Sequence, residues 1–583
     1  MLTGRWSVAV LISALAIPVP RPAQVLATTM AWTPNGIPAS PADGAQIKPR
    51  IVPDGSGGAI IAWEDKRVGP YLAYAQHLTA EGTTAPGWPA DGVALPNRGI
   101  SQSNLVMVPD GAGGAFVASD DNGYAGGVIV HHLGIDGSPA TGWPTSAVTL
   151  QAADFGEAGG TQGAFLPALL ADDAGGVFVA RTYRDRLHQS ITLTRLSSSA
   201  GFDPAWGSGL FAGAGWDFPS GLCSDGQGGV FVAFQADGIP PRIWTERFDG
   251  LGKRVFSGKA VSPAPLDQTA LGLVSDGGIG AIVVWEDHRN GAFDQLFAQR
   301  ILADGSTSPG WPADGLRVCA YPTAPGSPSY FVWPGPLSSV VPDGAGGAFV
   351  AWTDYRGGAE SDIYAQHILG NATFAPGWPV DGLAVCAAPN TQERPSVASD
   401  GAGGVLVAWQ DGRSGADEDI YAQHLIGNGA IASGWAANGF PICTAPGDQV
   451  TPIVAADASG NAFIAWSDAR AGTPNIYATR VGAGQVPPAV EAPAATFARP
   501  VIYPNPSFGR GFTTRFTLPS AESATLEVLD ITGRRVAQRE VGSLGVGSHS
   551  VELREAAALP AGVYQVRLAQ GGRVGDARAI VMP

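Results

Sequence analysis

Basic residues and long apolar runs are both scarce in this 583-residue sequence. It has 34 lysines and arginines against 50 aspartates and glutamates, which gives a formal net charge of -16. Proteins that bind nucleic acids need basic patches to neutralise phosphates, so we expect no nucleic acid partner. After the first 27 residues no segment is apolar for long enough to predict a transmembrane helix.

Cysteine is also rare, with four residues in the chain. Cys319, Cys386 and Cys443 occupy one phase of a repeated pattern, where equivalent atoms of neighbouring units should lie beyond the ~7 Å limit for a disulfide. Cys223 stands at a different phase, just before a glycine turn. We expect all four to be free, small buried residues. Because no Cys/His cluster has zinc-ligand spacing, we expect neither a metal nor a cofactor.

Glycine and proline are abundant instead, with 81 and 47 residues. Many of the glycines belong to an Asp-Gly-x-Gly-Gly motif or a close relative, repeated at intervals of 51 to 67 residues. The motif begins at Asp54, Asp110, Asp172, Asp225, Asp276, Asp343, Asp400 and Asp457. A period of this length indicates one repeated supersecondary unit.

Each unit predicts four short antiparallel strands. In the first unit these are 49–53, the apolar run 59–63, then 71–78 and 93–95, with turns and a Gly-Trp-Pro corner between them. Four strands in a unit of about 57 residues is the size of a propeller blade. The turn motif holds one carboxylate followed by small residues, so a hairpin with positive φ is favoured over a calcium loop.

The two ends of the repeat are complementary. The eighth unit stops after Tyr477 and lacks its corner and fourth strand, whereas 31–38 matches the corner segment 87–94 of the first unit. An N-terminal strand that completes the last unit would close a ring and leave no open sheet edge. The sequence therefore predicts an all-β fold, an eight-bladed β-propeller closed by an N-terminal strand.

Segments outside the repeat define the other domains. Residues 1–27 read as a secretory signal peptide, 28–481 as the propeller, and the Pro- and Ala-rich 482–500 as a linker. Residues 501–583 contain six strand-like runs and predict a small Ig-like β-sandwich. These runs are 512–518, 524–529, 535–541, 549–553, 563–568 and 577–581.

The tail carries three ordered motifs: Tyr503-Pro504-Asn505-Pro506, the run 529–536 with Asp530 and Gly533, and the run 559–564 with Gly562 and Tyr564. It resembles the C-terminal sorting domain of type IX secretion cargo, which is related to the Ig-like module of the flagellar hook-capping family. The resemblance implies outer-membrane passage, contact with the secretion machinery and attachment to the cell surface. The body is similar to Gly-rich propeller repeats that often precede such tails.

Two further patterns recur with the repeat. Five units contain Trp-x-Asp-x-Arg after the second strand, and one third-strand position is always His or Arg. An enzyme needs one constellation at one place, so these repeated groups are interpreted as structural. We expect the motif aspartate to bond within its own unit to that His or Arg.

Function is therefore sought where the repeat is irregular. The ligand-binding candidates are aromatic residues in units three and four and in the insertion before unit six: Tyr183, Trp206, Trp216, Tyr330 and Trp333. Exposed aromatics stack on sugar rings or anchor protein partners. The alternative is that these side chains fill gaps between irregular blades.

The sequence predicts a monomeric surface protein that binds an extracellular polysaccharide or protein without catalysis. Two alternatives stay open: a secreted glycan hydrolase or lyase with its site at the channel mouth, and a structural surface-layer component. An enzyme would need an unrepeated cluster of carboxylates or histidines near the channel mouth. No catalytic residue is assigned.

Overall fold

The computed structural model describes residues 32–96, 101–121, 127–151, 165–184, 189–207, 210–215, 218–236, 242–264, 267–289, 295–321, 338–358, 360–482, 499–503, 507–508, 512–520, 522–544, 547–553 and 559–582. The single helical element in these ranges is a 3-10 turn, Gly542–Leu544. The all-β prediction is confirmed. Across the same ranges, no helix has the length and apolar character to cross a membrane. The predicted signal peptide lies outside the described residues.

The described residues up to 482 form eight antiparallel sheets of four strands, here called sheets 1 to 8. Sheet 1 contains β2 (Gln46–Pro53), β3 (Ala59–Asp65), β4 (Leu72–Leu78) and β5 (Val93–Ala94). Sheet 2 contains β6 (Gln102–Pro109), β7 (Ala115–Asp121), β8 (Gly127–Leu133) and β9 (Val148–Gln151). Sheet 3 contains β10 (Phe165–Ala171), β11 (Val177–Arg184), β12 (Gln189–Leu196) and β13 (Leu210–Gly215). Sheet 4 contains β14 (Phe218–Ser224), β15 (Val230–Ala236), β16 (Arg242–Phe248) and β17 (Arg254–Ala260).

The remaining sheets follow the same order. Sheet 5 contains β18 (Gln268–Ser275), β19 (Ala281–Asp287), β20 (Gln295–Ile301) and β21 (Leu316–Cys319). Sheet 6 contains β22 (Ser338–Pro342), β23 (Ala348–Asp354), β24 (Asp362–Ile368) and β25 (Leu383–Cys386). Sheet 7 contains β26 (Gln392–Ser399), β27 (Val405–Asp411), β28 (Asp419–Leu425) and β29 (Phe440–Cys443). Sheet 8 contains β30 (Gln449–Ala456), β31 (Ala462–Asp468), β32 (Asn475–Val481) and β1 (Ile37–Pro38).

The second strand of a sheet is buried on both faces because a neighbouring sheet packs on each side. In β3, Ile61 and Trp63 join a cluster that includes Phe463 of sheet 8. The alternate residues Ile60 and Ala62 join a second cluster, shared with sheet 2. This explains the continuous apolar run in the sequence, since both sets of alternating side chains are removed from water.

The sheets follow one another in a closed order. The first strand of each sheet contacts the first strand of the next, and β30 of sheet 8 contacts β2 of sheet 1. Strand β1 pairs with β32, with Ile37 opposite Ala478 and Pro38 opposite Tyr477. The prediction that an N-terminal strand completes the last unit is confirmed, and the arrangement is propeller-like.

The C-terminal segment has two sheets. One contains β33 (Val501–Tyr503), β35 (Phe512–Leu518) and β38 (Gly547–Leu553). The other contains β34 (Ser507–Phe508), β40 (Arg573–Met582), β39 (Gly562–Gln570), β36 (Ala524–Leu529) and β37 (Arg535–Glu540). Both contribute to one apolar cluster, which includes Phe516 and Val566.

All four cysteines are free and buried, as predicted. Burial raises the pKa of Cys386 to about 12, with Arg413 opposing and Asp411 adding to the effect. Its thiol is therefore a small core group and not a reactive one.

Candidate functional site

The Trp-x-Asp-x-Arg motifs are structural. Asp65 is fully buried and accepts hydrogen bonds from Trp63 Nε1 at 2.8 Å and Arg67 Nε at 2.9 Å. The Arg67 guanidinium lies over the ring of Tyr74, 4.0 Å from its centroid, and donates to Asp91 O at 2.9 Å. The same contacts between tryptophan, aspartate and arginine recur in sheets 5, 6, 7 and 8. The motif thus ties the second strand to the following corner.

The third-strand histidine or arginine has a different partner from the one expected. His77 Nε2 lies 2.8 Å from Asp54 Oδ2, the aspartate of the glycine turn, and not beside Asp65. The predicted bond between the Trp-x-Asp-x-Arg aspartate and the third-strand His or Arg is therefore wrong. Asp65 binds Arg67 of its own motif instead. Equivalent pairs with the turn aspartate form at His132, Arg195, Arg247, Arg300, His367 and His424.

The glycine turns are hairpins, as predicted. Gly55 and Gly57 have φ of 73° and 95°, and Asp54 Oδ1 accepts hydrogen bonds from the backbone N–H groups of Ser56 and Gly58 at 2.7 and 2.9 Å. Burial tends to raise the pKa of Asp54, but the bonds from His77 and from the turn outweigh it and leave this pKa below its ordinary value. The carboxylate is fully engaged within the turn.

β-Bulges lie near the start of the first strands, at the end of each sheet opposite the glycine turns. Seven first strands show a β-bulge or register shift among the described residues. Four of these bulges have a further feature in common, and their register shifts lie at Ile47/Arg50, Ser103/Val106, Glu393/Ser396 and Val450/Ile453. Each of the four holds a non-glycine residue in the left-handed region: Lys48, Asn104, Arg394 and Thr451, with φ of 53°, 55°, 54° and 55°. Non-glycine residues are rarely left-handed, and the two substituents on Cβ of the β-branched Thr451 make the conformation more costly still.

Three of these four bulges direct a backbone N–H group to an acceptor on the neighbouring sheet. Asn104 N–H donates to Glu64 Oε1 at 3.1 Å. Arg394 N–H donates to Thr353 Oγ1 at 3.3 Å, and Thr451 N–H to Gln410 Oε1 at 3.5 Å. Each acceptor is the variable residue of its own Trp-x-Asp sequence. We call the four bulge residues, these three acceptors and Asp120 the axial rim. All eight lie on the first or second strand of their sheets, in sheets 1, 2, 6, 7 and 8.

Charge is concentrated where sheets 1 and 2 meet. Lys48 Nζ lies 3.1 Å from Glu64 Oε2, and Asn104 Nδ2 donates to Asp120 Oδ2 at 2.6 Å. Asn104 therefore joins two carboxylates from adjacent sheets. Glu64 and Asp120 are 2% and 1% exposed, whereas the Lys48 side chain is 45% exposed. The bulge residues are the ones that a ligand can reach, and the buried acids position them.

The axial rim was missed in the sequence because its second-strand members look like spacers between tryptophan and aspartate. Strand alternation was the available signal. Trp63 and Asp65 share one face of β3, so Glu64 must face the other side, toward sheet 2. No local pattern in the sequence marks the bulges themselves.

Two of the five predicted ligand-binding residues, Tyr183 and Trp206, lie among the described residues. Trp206 is 1% exposed, packs 5.0 Å from the ring of Phe178 and points Nε1 at Gly250 O. It belongs to the same set of corner tryptophans as Trp88 and is a core residue, so its assignment as a ligand contact is corrected. Tyr183 is the penultimate residue of β11, at the end of the sheet where the rim lies. Trp216, Tyr330 and Trp333 lie outside the described residues.

The sorting motifs occupy turns and strand ends of the tail. Asp530 caps an exposed turn, in which Oδ1 accepts from the N–H groups of Thr532 and Arg534 and Gly533 has φ of 81°. The Thr532 hydroxyl bond lowers the pKa of Asp530 to about 2. Gly562 begins β39, and the Tyr564 hydroxyl donates to Pro560 O at 2.8 Å. Pro504, Asn505 and Pro506 lie outside the described residues.

Comparison with known proteins identifies the tail. Residues 501–582 match the family model of the secretion system C-terminal sorting domain. A type IX secretion sorting tail implies export, and the protein is secreted and attached to the outer cell surface. No curated protein matches the chain.

Solved structures similar to the chain include several β-propeller-like proteins. The β-propeller domain of the trilobed protease from Pyrococcus furiosus has 9% identity and a TM-score of 0.37, and the match covers 65% of this chain and 96% of that one. A PL25 ulvan lyase has 11% identity and a TM-score of 0.35, covering 69% and 96%. A fungal alcohol oxidase of the AA5 family, in complex with copper, has 12% identity and a TM-score of 0.35, covering 83% and 99%. At these similarities, the activities of the three proteins are not transferred to this chain.

Proposed function

We propose that the body, residues 28–481, is an eight-bladed β-propeller and that 501–583 is an Ig-like sandwich recognised by the secretion machinery, with 482–500 as the linker. The cyclic contacts of the eight sheets and the pairing of β1 with β32 support the blade number. The two sheets around one apolar cluster support the sandwich.

We propose that the propeller binds an extracellular polysaccharide at the axial rim, without catalysis. The observation that carries this proposal is the set of four left-handed polar residues on the first strands, at one end of the ring. Backbone strain of this kind persists only where the surrounding structure enforces it, and it clusters at binding sites.

The chemistry of the rim favours a polysaccharide over a purely apolar partner. Asn104 and Thr451 offer amide and hydroxyl groups suited to sugar hydroxyls, and Lys48 and Arg394 suit carboxylate or sulfate substituents. Arg394 is exposed, as is Lys48. A site built from several weak polar contacts on a rigid scaffold is suited to a repeating polymer.

Glycan-array binding of the full chain tests the proposal. Replacing Lys48, Asn104 or Arg394 by alanine should each weaken binding by about tenfold, as expected for a central contact. The matched control is Gln227→Ala, because Gln227 is exposed in the glycine turn at the opposite end of sheet 4. Equal binding by all four variants would contradict the rim assignment.

One observation favours the alternative, a glycan hydrolase or lyase. Glu64 and Asp120 form a pair of acids on adjacent sheets, linked through Asn104. Glycosidases require two carboxyl groups at one place. If the chain releases sugar products from a bound glycan, and Glu64→Gln and Asp120→Asn abolish release while binding persists, the enzymatic function replaces the binding one.

A further inference from the structure

A buried ion pair joins the C-terminal sorting domain to the ring. Arg515 Nη1 and Nη2 donate to Asp362 Oδ1 and Oδ2 at 2.9 and 2.6 Å. The two side chains are 4% and 0% exposed. A bidentate pair fixes both the separation and the relative orientation of its two partners. Burial raises the pKa of Asp362 to about 6 even though Arg515 opposes this.

Arg515 is buried on the side of its strand that faces away from the tail's own core. In β35, Phe512, Phe516 and Leu518 belong to the tail cluster. Strand alternation puts Arg515 on the other face of the three-stranded sheet. That face would be open to solvent in an isolated domain, so the burial of Arg515 comes from contact with the ring.

The ring side of the contact differs between two sheets of nearly identical sequence. Asp362 and Asp419 both begin the third strand of their sheets, and both are followed by Ile-Tyr-Ala-Gln-His. In sheet 6 the preceding loop has Gly357, and a Cβ at this position would lie 3.7 Å from Arg515 Nη1. In sheet 7 the corresponding residue is Ser414, whose hydroxyl donates to Asp417 O at 2.8 Å and closes the loop on itself. Sheet 6 thus receives the guanidinium beside Gly357, where the equivalent residue of sheet 7 is a serine bonded within its own loop.

The same loop reaches the axial rim. Tyr355, two residues before Gly357, donates its hydroxyl to Glu393 Oε1 of sheet 7 at 3.2 Å. Glu393 directly precedes the left-handed Arg394. The loop that receives Arg515 is therefore in contact with the end of the ring that carries the rim.

We propose that the sorting domain docks on sheet 6 through the Arg515–Asp362 pair, so that the exported chain has its tail fixed beside one end of the ring and not swinging freely on a linker. The surface fitted to the tail is the β23–β24 loop with Asp362, and the recognised group is the guanidinium of Arg515. This inference does not depend on what the rim binds.

Arginine reactivity in the full chain tests the docking. An arginine-specific dicarbonyl reagent, read out by peptide mass spectrometry, compares Arg515 with Arg534, whose side chain is 78% exposed. In the unaltered chain Arg515 should react at least about tenfold more slowly than Arg534. In Asp362→Asn its rate should approach that of Arg534, and small-angle scattering should show a larger radius of gyration.

The matched control is Asp419→Asn, the same substitution at the same position of the next sheet. It should leave Arg515 protected, and an equal rise in reactivity in both variants would overturn the proposal by showing general loosening of the ring. A charge-swapped double variant, Asp362→Arg with Arg515→Asp, should recover the compact scattering profile lost in Asp362→Asn. Rapid modification of Arg515 in the unaltered chain, or continued protection in a folded Asp362→Asn chain, would also overturn it.

Discussion

The imidazole of His77 and the carboxylate of Asp54 lie 2.8 Å apart and close the first glycine turn onto the third strand of the same sheet. Both residues are buried, at 4% and 6% exposure. The pair holds together two segments that the sheet ladder alone does not connect. Histidine occupies this position in four sheets and arginine in the other four. All four histidines and three of the arginines, Arg195, Arg247 and Arg300, pair with the turn aspartate of their sheet.

This pairing predicts acid sensitivity. The pKa values of Asp54, Asp110, Asp343 and Asp400 are below the ordinary value, since bonds from histidine and the turn outweigh burial. A lowered carboxyl pKa adds stability above the pKa of the unfolded chain and loses it as pH falls through the folded value. The free energy of unfolding should therefore decrease as the pH falls below about 4. Asp54→Asn should lower the free energy of unfolding by about 1 kcal/mol at pH 7 and by less near pH 3.

Urea unfolding at a series of pH values checks this. If Asp54→Asn lowers the free energy of unfolding by the same amount at pH 3 and pH 7, the carboxylate charge has no part in closing the turn.

A second titration effect comes from His131. The equivalent residue is glutamine in sheets 1, 5, 6 and 7, and its amide donates to a corner carbonyl, as Gln76 Nε2 does to Pro89 O at 2.8 Å. His131 Nε2 has no hydrogen-bond partner among the described residues, and the side chain lines a cavity of about 160 Å³. Burial lowers the pKa of His131 to about 4. As pH falls from about 6.5 toward 4, the unfolded chain takes up a proton that the folded chain excludes, so stability decreases.

His131→Gln should remove this loss and add the corner hydrogen bond. Its advantage in unfolding free energy should be about 2 kcal/mol larger at pH 5 than at pH 7. His131→Ala is the control, since it removes the titrating group without filling the cavity. We expect it to lose the pH effect and to be less stable than His131→Gln at both pH values.

The sequence predicts the regular strands of this molecule well and its bulges poorly, for a physical reason. Strand β35 is predicted with its observed limits, 512–518, because apolar alternation and flanking turns are local signals. The closure by 37–38 is also predictable, since a missing strand is visible in the repeat count. Lys48 and Arg394 gave no such signal, because a bulge depends on how two strands meet and any residue forced into it will look ordinary in the sequence.

Ring closure can be tested at Gly36. Gly36 and Gly55 both have φ of 73°. A Cβ at Gly36 would clash with the ring of Trp466 in sheet 8, whereas one at Gly55 would meet nothing within 4 Å. Gly55→Ala should therefore cost about 1 kcal/mol from backbone strain alone, and Gly36→Ala about 3 kcal/mol because the Trp466 contact is overpacked as well.

Chemical unfolding followed by tryptophan fluorescence compares the two variants directly. If Gly36→Ala and Gly55→Ala lower the free energy of unfolding by similar amounts, the contact of the N-terminal segment with sheet 8 contributes little to the stability of the ring.

The last prediction concerns the strain in the axial rim. Thr451 is β-branched and has φ of 55°, and its side chain reaches Ser467 Oγ at 3.5 Å. In an ordinary strand, replacing a residue by glycine is worse than replacing it by alanine by roughly 0.5–1 kcal/mol. At Thr451 the order should reverse, with Thr451→Gly more stable than Thr451→Ala by about 1 kcal/mol, because glycine relieves the left-handed strain that alanine retains. The same pair of substitutions at Thr525, a partly buried residue of β36 without positive φ, should show the ordinary order.

If the rim binds glycans, Thr451→Gly should weaken glycan binding, since the strained conformation is what holds the threonine hydroxyl in place. The Thr451→Gly ring should nevertheless be no less stable than the Thr451→Ala ring. Alanine being the more stable replacement at both positions would show that no strain is stored at this bulge.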